Sequence, residues 1–599
     1  MKTRALLVCV CIGLAVASAR AAGEYRTIDV ESLKVTIDSV WASRTAPGYL
    51  PVRFDIANLG ETRVIEIVGQ GSRWFRGPRG MQQGGISVRQ AVRLARGDRV
   101  RLTIPVPISG DNENLRFEIR EDGRTLERFN FIGLQSGIVP AHASALIVAD
   151  LGTAFGQVAA GWSRVMPGSA GSTVIAGPAG RPVPAGGART PPPLDFVLEP
   201  ARLPTNWLGF TSLRAVVIGP KEWEQLTAAQ KDALLTWTAC GGDLLFVDGD
   251  VSALFPAGQT PPGGTDKPAV SGYFFGRIHL PTSASVSATG LAGVLSAAQK
   301  LQDANWVLPV NGASDWGKIA ARGFRLLIPG VDGVPARAYL SILIVFALWI
   351  GPLNYWLLWR KQRQVLLVLT VPLISAIFIV LLAGYVLAGE GLGVRGRAVT
   401  FTMLDQVRKQ SATRATISLY AAGMTPAGGL RFARDLAVIP VGPQGGGSRE
   451  QQTLDLTDAQ RFSGGVIQAR SPTNLEQIGF RTARERLNFN REAGGVSVVN
   501  GLGVTIASLI YRDGDNVYSL ARPLAAGARD VLNLGTPAPG IVVPSDLFLF
   551  ARFAHLVANQ PRGSYLAVLE QSPFWDPGVS GIRERSSFHL VIGWPEGQP

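Results

Sequence analysis

Residues 338 to 359, AYLSILIVFALWIGPLNYWLLW, and 365 to 389, VLLVLTVPLISAIFIVLLAGYVLAG, carry no formal charge and lie five residues apart. Each is long enough as a helix, at 1.5 Å per residue, to cross a hydrocarbon layer of about 30 Å. The pair predicts a transmembrane helical hairpin. Its turn, RKQRQ at 360 to 364, holds Arg360, Lys361 and Arg363, and by the bias of Lys and Arg toward cytoplasmic loops it belongs inside. Pro352 is expected to kink the first helix. Asn354 needs a hydrogen-bond partner at that depth and reads as helix-to-helix glue.

The N-terminus predicts the same orientation independently. Lys2 and Arg4 precede an apolar run from Ala5 to Ala17, with small residues at Ala17, Ala19 and Ala21, the pattern of a secretory signal peptide over 1–21. Cys9 and Cys11 would leave with it, so Cys240 alone remains and no disulfide is expected. An exported N-terminus and two crossings put everything before Arg337 and after Glu390 outside the cytoplasm. The composition agrees: 46% of residues are hydrophobic and 17% charged, against about 25% charged in soluble domains. The net charge of +14 is scattered without a basic block, which argues against a nucleic-acid partner. A bacterial inner-membrane location follows, with membrane or periplasmic proteins as partners.

With 599 residues the chain exceeds one core, and the segments differ in grammar. Residues 24–137 alternate apolar and polar positions in LKVTID, LPVRFDIAN, RVIEIV, RVRLTIPVPI and LRFEIRE, predicting an antiparallel β-sandwich. The stretch 71–85, GSRWFRGPRGMQQGG, interrupts this pattern and reads as a loop carrying Arg73, Trp74, Phe75, Arg76 and Arg79. Its basic-aromatic tip is expected to contact a partner or anionic lipid, against the alternative of rings folded onto the sandwich edge.

Over 143–330 the pattern becomes strand–helix–strand. SLRAVVIG is a continuous apolar strand, TAAQKDALLTWTAC has helical spacing, and GGDLLFVDGD returns as a strand, a βαβ unit. Gly241 and Gly242 close the helix, so Cys240 falls in its last turn, where the helix dipole raises a thiol pKa. That is the wrong end for a nucleophile. Leu203-Pro204, SLRAVVIG, Leu226-Thr227, Gln230, Ala233-Leu234, Trp237, Gly241-Gly242 and DLLFVDG together resemble the class I glutamine-amidotransferase-like, flavodoxin-like domain of bacterial two-transmembrane envelope proteins. GPLNYWLLWRKQR and the overall plan are also similar to that group. The resemblance implies a non-catalytic membrane component. It departs from an active amidotransferase in lacking a G-x-C-x-G elbow and any H-x-E partner for His279, so no triad assembles from sequence.

Other chemical signals are sparse. GASDWGK at 312 to 318 has phosphate-loop spacing, but Ile319 stands where Ser or Thr must hold magnesium, so it reads as coincidence. Asp248 and Asp250 follow a strand at the carboxyl edge, where open α/β sheets bind ligands, and are the ligand-binding candidates; otherwise they are solvated turn carboxylates. RDGD at 512 to 515 reads as a hairpin turn. His142, His279, His555 and His589 are isolated, so no metal, cofactor or catalytic residue is expected. Gly/Pro-rich stretches at 168–193 and 440–450 read as flexible connections. The tail, 392–599, is again β-patterned and predicts a β-sandwich-like extracytoplasmic domain, with one helix expected at 545–559. The fold class is thus multidomain α/β plus β. The expected role is a membrane-anchored extracytoplasmic scaffold or accessory subunit, with a hydrolase/transferase or a ligand- or glycan-binding receptor as alternatives.

Overall fold

The computed structural model describes residues 25–131, 145–157, 196–255, 270–281, 326–329, 336–390, 393–535, 541 and 557–596, apart from short stretches within these ranges. The expected signal peptide, the stretches 168–193 and 312–318, most of 440–450, His142, His555 and nearly all of 545–559 lie outside them. The described chain is mostly β-sheet with few helices.

Nine strands come first: β1 Tyr25–Val30, β2 Leu33–Ser39, β3 Gly48–Asn58, β4 Arg63–Gly77, β5 Gly80–Gly84, β6 Ile86–Leu94, β7 Arg99–Ile108, β8 Asn114–Glu121 and β9 Arg124–Phe131. β1-β2-β3-β7 form one sheet, and β6-β4-β8-β9 belong to a second of eight strands. Strand alternation puts Val52, Phe54 and Ile56 of β3 inward. Phe54 meets Phe117 of β8 edge-on at 5.4 Å, and Phe117 stacks on Phe129 of β9 at 5.6 Å; such pairs contribute about 0.5–1.5 kcal/mol each beyond burial.

On β8, Glu118 is buried with Arg120 at 2.6 Å, Arg128 at 3.0 Å and Arg116 at 3.7 Å. Burial pushes its carboxyl up, but the hydrogen bond and charge of Arg120 and the charges of Arg128 and Arg116 outweigh this, so it titrates below the ordinary 4.5. A carboxyl with a lowered folded-state pKa stabilises the fold above its unfolded value, and that stability disappears as pH falls through the folded value. The unfolding midpoint should therefore drop on acidification below about 4.5, and Glu118→Gln should flatten that part of the profile in denaturant titrations at several pH values.

The segment 71–85 is not the loop that its glycines suggested. β4 runs on through Arg73, Trp74, Phe75 and Arg76, which pair with Gly84, Gln83, Gln82 and Met81 of β5. Trp and Phe favour extended backbone, and a Gly on each side of the turn permits a hairpin.

The next unit holds β10 Ala145–Val148, β11 Phe196–Leu198, β12 Ala215–Ile218, helix α1 Pro220–Glu224, helix α2 Ala228–Ala239, β13 Asp243–Phe246, β14 Val270–Tyr273 and β15 Gly276–His279. The sheet order is β11-β10-β12-β13-β15-β14, parallel except for β14. α2 starts at a capping box: Thr227 Oγ1 accepts from the Gln230 amide N–H, and Gln230 Oε1 accepts from that of Thr227, a device worth about 1 kcal/mol. Gln230 is itself buried and fixed, its Nε2 donating to the carbonyls of Pro200 and Leu203. The helix ends at Gly241, whose φ of 122° is open to glycine.

Helices α3 Ala336–Leu348, α4 Asn354–Arg360 and α5 Leu367–Glu390 follow. Trp349–Leu353, between α3 and α4, is a π-helical turn containing Pro352, which lacks the N–H for a regular α-helical bond. The spans Leu340–Arg360 and Gln364–Gly384 are long and apolar enough to cross a membrane and are almost wholly unburied. Asn354 Nδ2 donates to Thr370 Oγ1 at 3.0 Å, joining the two helices. The turn with Arg360, Lys361 and Arg363 is closed by the Arg363 amide bonding to the Leu358 carbonyl at 3.0 Å, with Gln362 at φ 55°.

Beyond the hairpin lie β16 Val394–Asp405, β17 Gln410–Ala421, β18 Leu430–Phe432, β19 Ala437–Val441, β20 Gln452–Asp455, β21 Gln460–Ser463, β22 Pro472–Thr482, β23 Arg486–Glu492, β24 Gly495–Gly501, β25 Ile506–Asp513, β26 Asn516–Ser519, β27 Arg529–Leu534, β28 Ser564–Leu569, β29 Arg583–Glu584 and β30 Phe588–Trp594. Most join one sheet ordered β19-β22-β17-β16-β30-β28-β25-β26-β27-β24-β23, with β29 on β16. RDGD forms the expected β25–β26 hairpin, where Asp513 pairs with Asn516.

β18, β21 and β20 instead extend the sheet of β6, β4, β8 and β9. β20 lies parallel to β6, from Gln452 opposite Ile86 to Asp455 opposite Arg89, and Arg89 binds Asp455 at 2.8 Å. A sheet thus crosses the point in sequence where the hairpin intervenes. The Tyr49 hydroxyl donates to the Val438 carbonyl at 2.7 Å, and Trp207 Nε1 to that of Asp435 at 2.6 Å. Phe274 packs on Phe480 and Phe275 on Phe401. One apolar core includes Val52, Val216 and Ile417, from all three extramembrane regions.

Candidate functional site

The carboxyl edge of the six-stranded sheet gathers several carboxylates. Chain order around it is informative: β10 is followed by β11 on one side, while β12 and β13 build the sheet in the other direction. Ligands of open α/β sheets bind in the crevice where direction reverses, here between β10 and β12. Asp150, two residues past β10, accepts from the Gly152 amide at 2.9 Å and from Gln225 Nε2 at 2.9 Å. These two hydrogen bonds hold its carboxyl below the usual aspartate range.

Glu222 enters from the first turn of α1, just after β12, and is wholly buried. Its Oε1 lies against the Thr153 hydroxyl, while Oε2 has no hydrogen-bond partner among the described residues and points at Gly219. On the next strand end, Asp248 sits at φ 55°, its amide donating to the Pro281 carbonyl at 3.0 Å, and Asp250 follows; both are exposed. Three neighbouring strand ends therefore present oxygen acceptors. Such an edge suits a ligand rich in N–H or O–H donors and repels phosphate. Asp248 and Asp250 were legible in the sequence, while Asp150 and Glu222 needed the strand order to be seen as neighbours. Among the described residues no cluster of three or more His, Cys, Asp and Glu side chains is arranged to hold a metal.

Cys240 caps the C-terminus of α2 and is 4% exposed. Burial, with the charge of Asp435, pushes its thiol far up, away from the thiolate a nucleophile needs. His279 is not without a carboxylate partner: Nε2 lies 3.2 Å from Asp243 Oδ1, both groups buried on neighbouring parallel strands. His589 is likewise engaged, Nδ1 at 2.9 Å from the Thr400 hydroxyl and Nε2 at 3.1 Å from Glu584. That row has the order of a hydroxyl–imidazole–carboxylate relay, but Thr400 lies mid-strand between β17 and β30 and is 1% exposed. No substrate carbonyl reaches such a hydroxyl. Neither carboxylate partner was visible in the sequence, because each lies on another strand.

Arg73, Trp74, Phe75 and Arg76 belong to the β4–β5 ribbon, in a different sheet from this edge. Arg360 lies over the Trp356 ring at 5.5 Å beside Lys361 and Arg363 in the hairpin turn.

No protein-family model and no curated protein sequence matches the chain. Among solved structures it is similar to the yeast delta-COP-I mu-homology domain, at 8% identity and a TM-score of 0.16 over 34% of this chain and 95% of that one. The same domain complexed with the Dsl1 WxWxV peptide gives 9% identity, the same TM-score and the same coverage. A superposition that poor carries neither fold nor function.

Proposed function

We propose that this chain is a non-enzymatic scaffold or accessory subunit of an envelope transport, secretion or assembly complex, anchored in a bacterial inner membrane by its hairpin. The observation that carries the reading is the sheet formed by β6 and β20, whose strands flank the hairpin in sequence. Two chain segments that share a sheet lie on one side of a membrane, so two crossings between them are the economical arrangement. The basic turn and the N-terminal signal pattern favour the extracytoplasmic side for that body. In this reading the β1–β9 region is a sandwich, completed from beyond the hairpin. The β10–β15 unit is flavodoxin-like, the order of β11-β10-β12-β13 matching the 2-1-3-4 start of that topology. This also supports kinship with the two-transmembrane envelope proteins whose amidotransferase-like domain its sequence resembles.

Cross-linking in intact cells followed by identification of neighbours tests the scaffold role: a fixed set of membrane or periplasmic proteins is expected, and loss of every such adduct refutes it. The competing hydrolase or transferase would work through Cys240 or the Asp248/Asp250 edge. Cys240→Ser should leave cellular function within about twofold, with at most about 1–3 kcal/mol lost if the hydroxyl is left unpaired. A normally folded but inactive variant would overturn the non-enzymatic reading.

A receptor role is favoured by one observation, the buried Glu222 Oε2 at the sheet edge, which has no hydrogen-bond partner among the described residues. Screening amines and sugars by thermal shift, with Glu222→Gln as control, tests it. A stabilising compound whose effect disappears in the variant would support a donor-rich ligand there.

A further inference from the structure

We infer that the hairpin-proximal end of the post-hairpin sheet is a docking surface for anionic phospholipid headgroups, gripped by Arg470, Arg583 and Arg585. The inference rests on the reading that the apolar helices span a bilayer.

Both membrane connections converge on one end of the β16–β17 ladder. α5 ends at Glu390 and β16 begins at Val394, so four residue steps of at most about 3.6 Å tie that strand end to the bilayer. On the other side, Ile328 is buried against Tyr420 and Ala422, a short reach before α3 starts at Ala336. Val394 pairs with Ala421 and Arg395 with Tyr420, which makes this the membrane-facing end.

Three exposed arginines are fixed at the same place by their backbones. The Arg470 amide donates to the Ala421 carbonyl at 2.8 Å, Arg583 pairs with Arg395, and the Arg585 amide donates to the Gly396 carbonyl at 2.9 Å. The carboxylate among them, Glu584, is taken by His589. Arg395 and Arg397 of β16 are buried, Arg397 Nε donating to the Ser586 carbonyl. None of the side chains of Arg470, Arg583 and Arg585 makes an ion pair among the described residues.

Exposed guanidiniums held against a bilayer meet lipid phosphates before any other partner, and guanidinium matches phosphate through paired N–H donors. A basic residue within a Debye length of an anionic surface gains roughly fivefold in partitioning. The chain itself does the positioning, so no folding or docking step is needed.

The test uses the full chain reconstituted in phosphatidylcholine vesicles with and without phosphatidylglycerol, solubilised gently, with retained lipid counted by native mass spectrometry. Wild type should keep phosphatidylglycerol in preference to phosphatidylcholine, and the preference should fall when salt is raised to about 0.5 M. The triple variant Arg470→Gln, Arg583→Gln, Arg585→Gln should lose it by tenfold or more, while Arg522→Gln, on the distant β26–β27 side, should not. Should the triple Gln variant fail to fold, the triple Lys variant should keep part of the preference. A wild type without preference, or a well-folded Gln variant with unchanged retention, overturns the inference. Vesicle flotation separates the two levels: a wild-type chain that does not float with either vesicle refutes the membrane-spanning reading itself.

Discussion

Truncating Glu476 to alanine is expected to destabilise the extramembrane body by about 3–5 kcal/mol, the usual cost of breaking a buried ion pair from one side. Glu476 on β22 and Arg414 on β17 are 3.1 Å apart, with side chains 1% and 6% exposed. Removing the carboxylate takes the opposite charge away from a buried guanidinium between the second and third strands of the largest sheet. The pair itself adds little net stability, because desolvating both ions offsets most of their attraction. Replacing both together, as Arg414→Met with Glu476→Leu, should therefore come within about 1–2 kcal/mol of wild type or exceed it. Urea unfolding of the detergent-solubilised protein, followed by tryptophan fluorescence, separates the two outcomes. Similar losses in the single and double variants would show that the pair is no more than packing.

Gly276→Ala should be nearly as damaging, at or above the upper end of the roughly 1–3 kcal/mol typical of overpacking. A β-carbon there would stand 1.9 Å from the Thr238 carbonyl oxygen and 2.4 Å from that of Gly242. Both obstacles are backbone, so no side chain can step aside. The approach is close because β15 docks onto the end of α2: the Phe275 amide bonds to the Ala239 carbonyl and the Arg277 amide to that of Gly242. Limited proteolysis should find the α/β unit cut early in the variant, while the hairpin still inserts. A proteolytic pattern like that of wild type would contradict this packing.

What the sequence made legible was what local periodicity encodes. The two apolar runs, the 227–240 helix with its closing glycines, and the Asp513–Asn516 hairpin each carry their signal within a few residues, and each was read correctly at that level; the Thr227–Gln230 capping box was not. Trp74 and Phe75 were misassigned to a loop because flanking glycines outweighed the β preference of the rings; pairing with β5 decided otherwise. β20 is the clearest failure of local reading. QTLD is four residues long, and its partner lies far back, beyond the entire hairpin. Nothing in either strand alone names the other; only a shared core, with Leu454 and Val88 buried together, selects the register. The same non-locality hid Asp243 from His279, and Glu222 from Asp150.

The central claim is that the segments before and after the hairpin form one body outside the cytoplasm, and a single disulfide tests it. Ser87 of β6 and Thr453 of β20 are direct partners in a parallel ladder, where neighbouring strands run about 4.8 Å apart, within reach of a disulfide. Cys240 is buried and so does not compete for the new thiols. In intact cells, Ser87→Cys with Thr453→Cys should oxidise spontaneously, seen as a mobility shift on non-reducing gels that reductant abolishes, with neither single variant shifting. Two thiols that stay reduced and react with maleimide only after lysis would contradict the account.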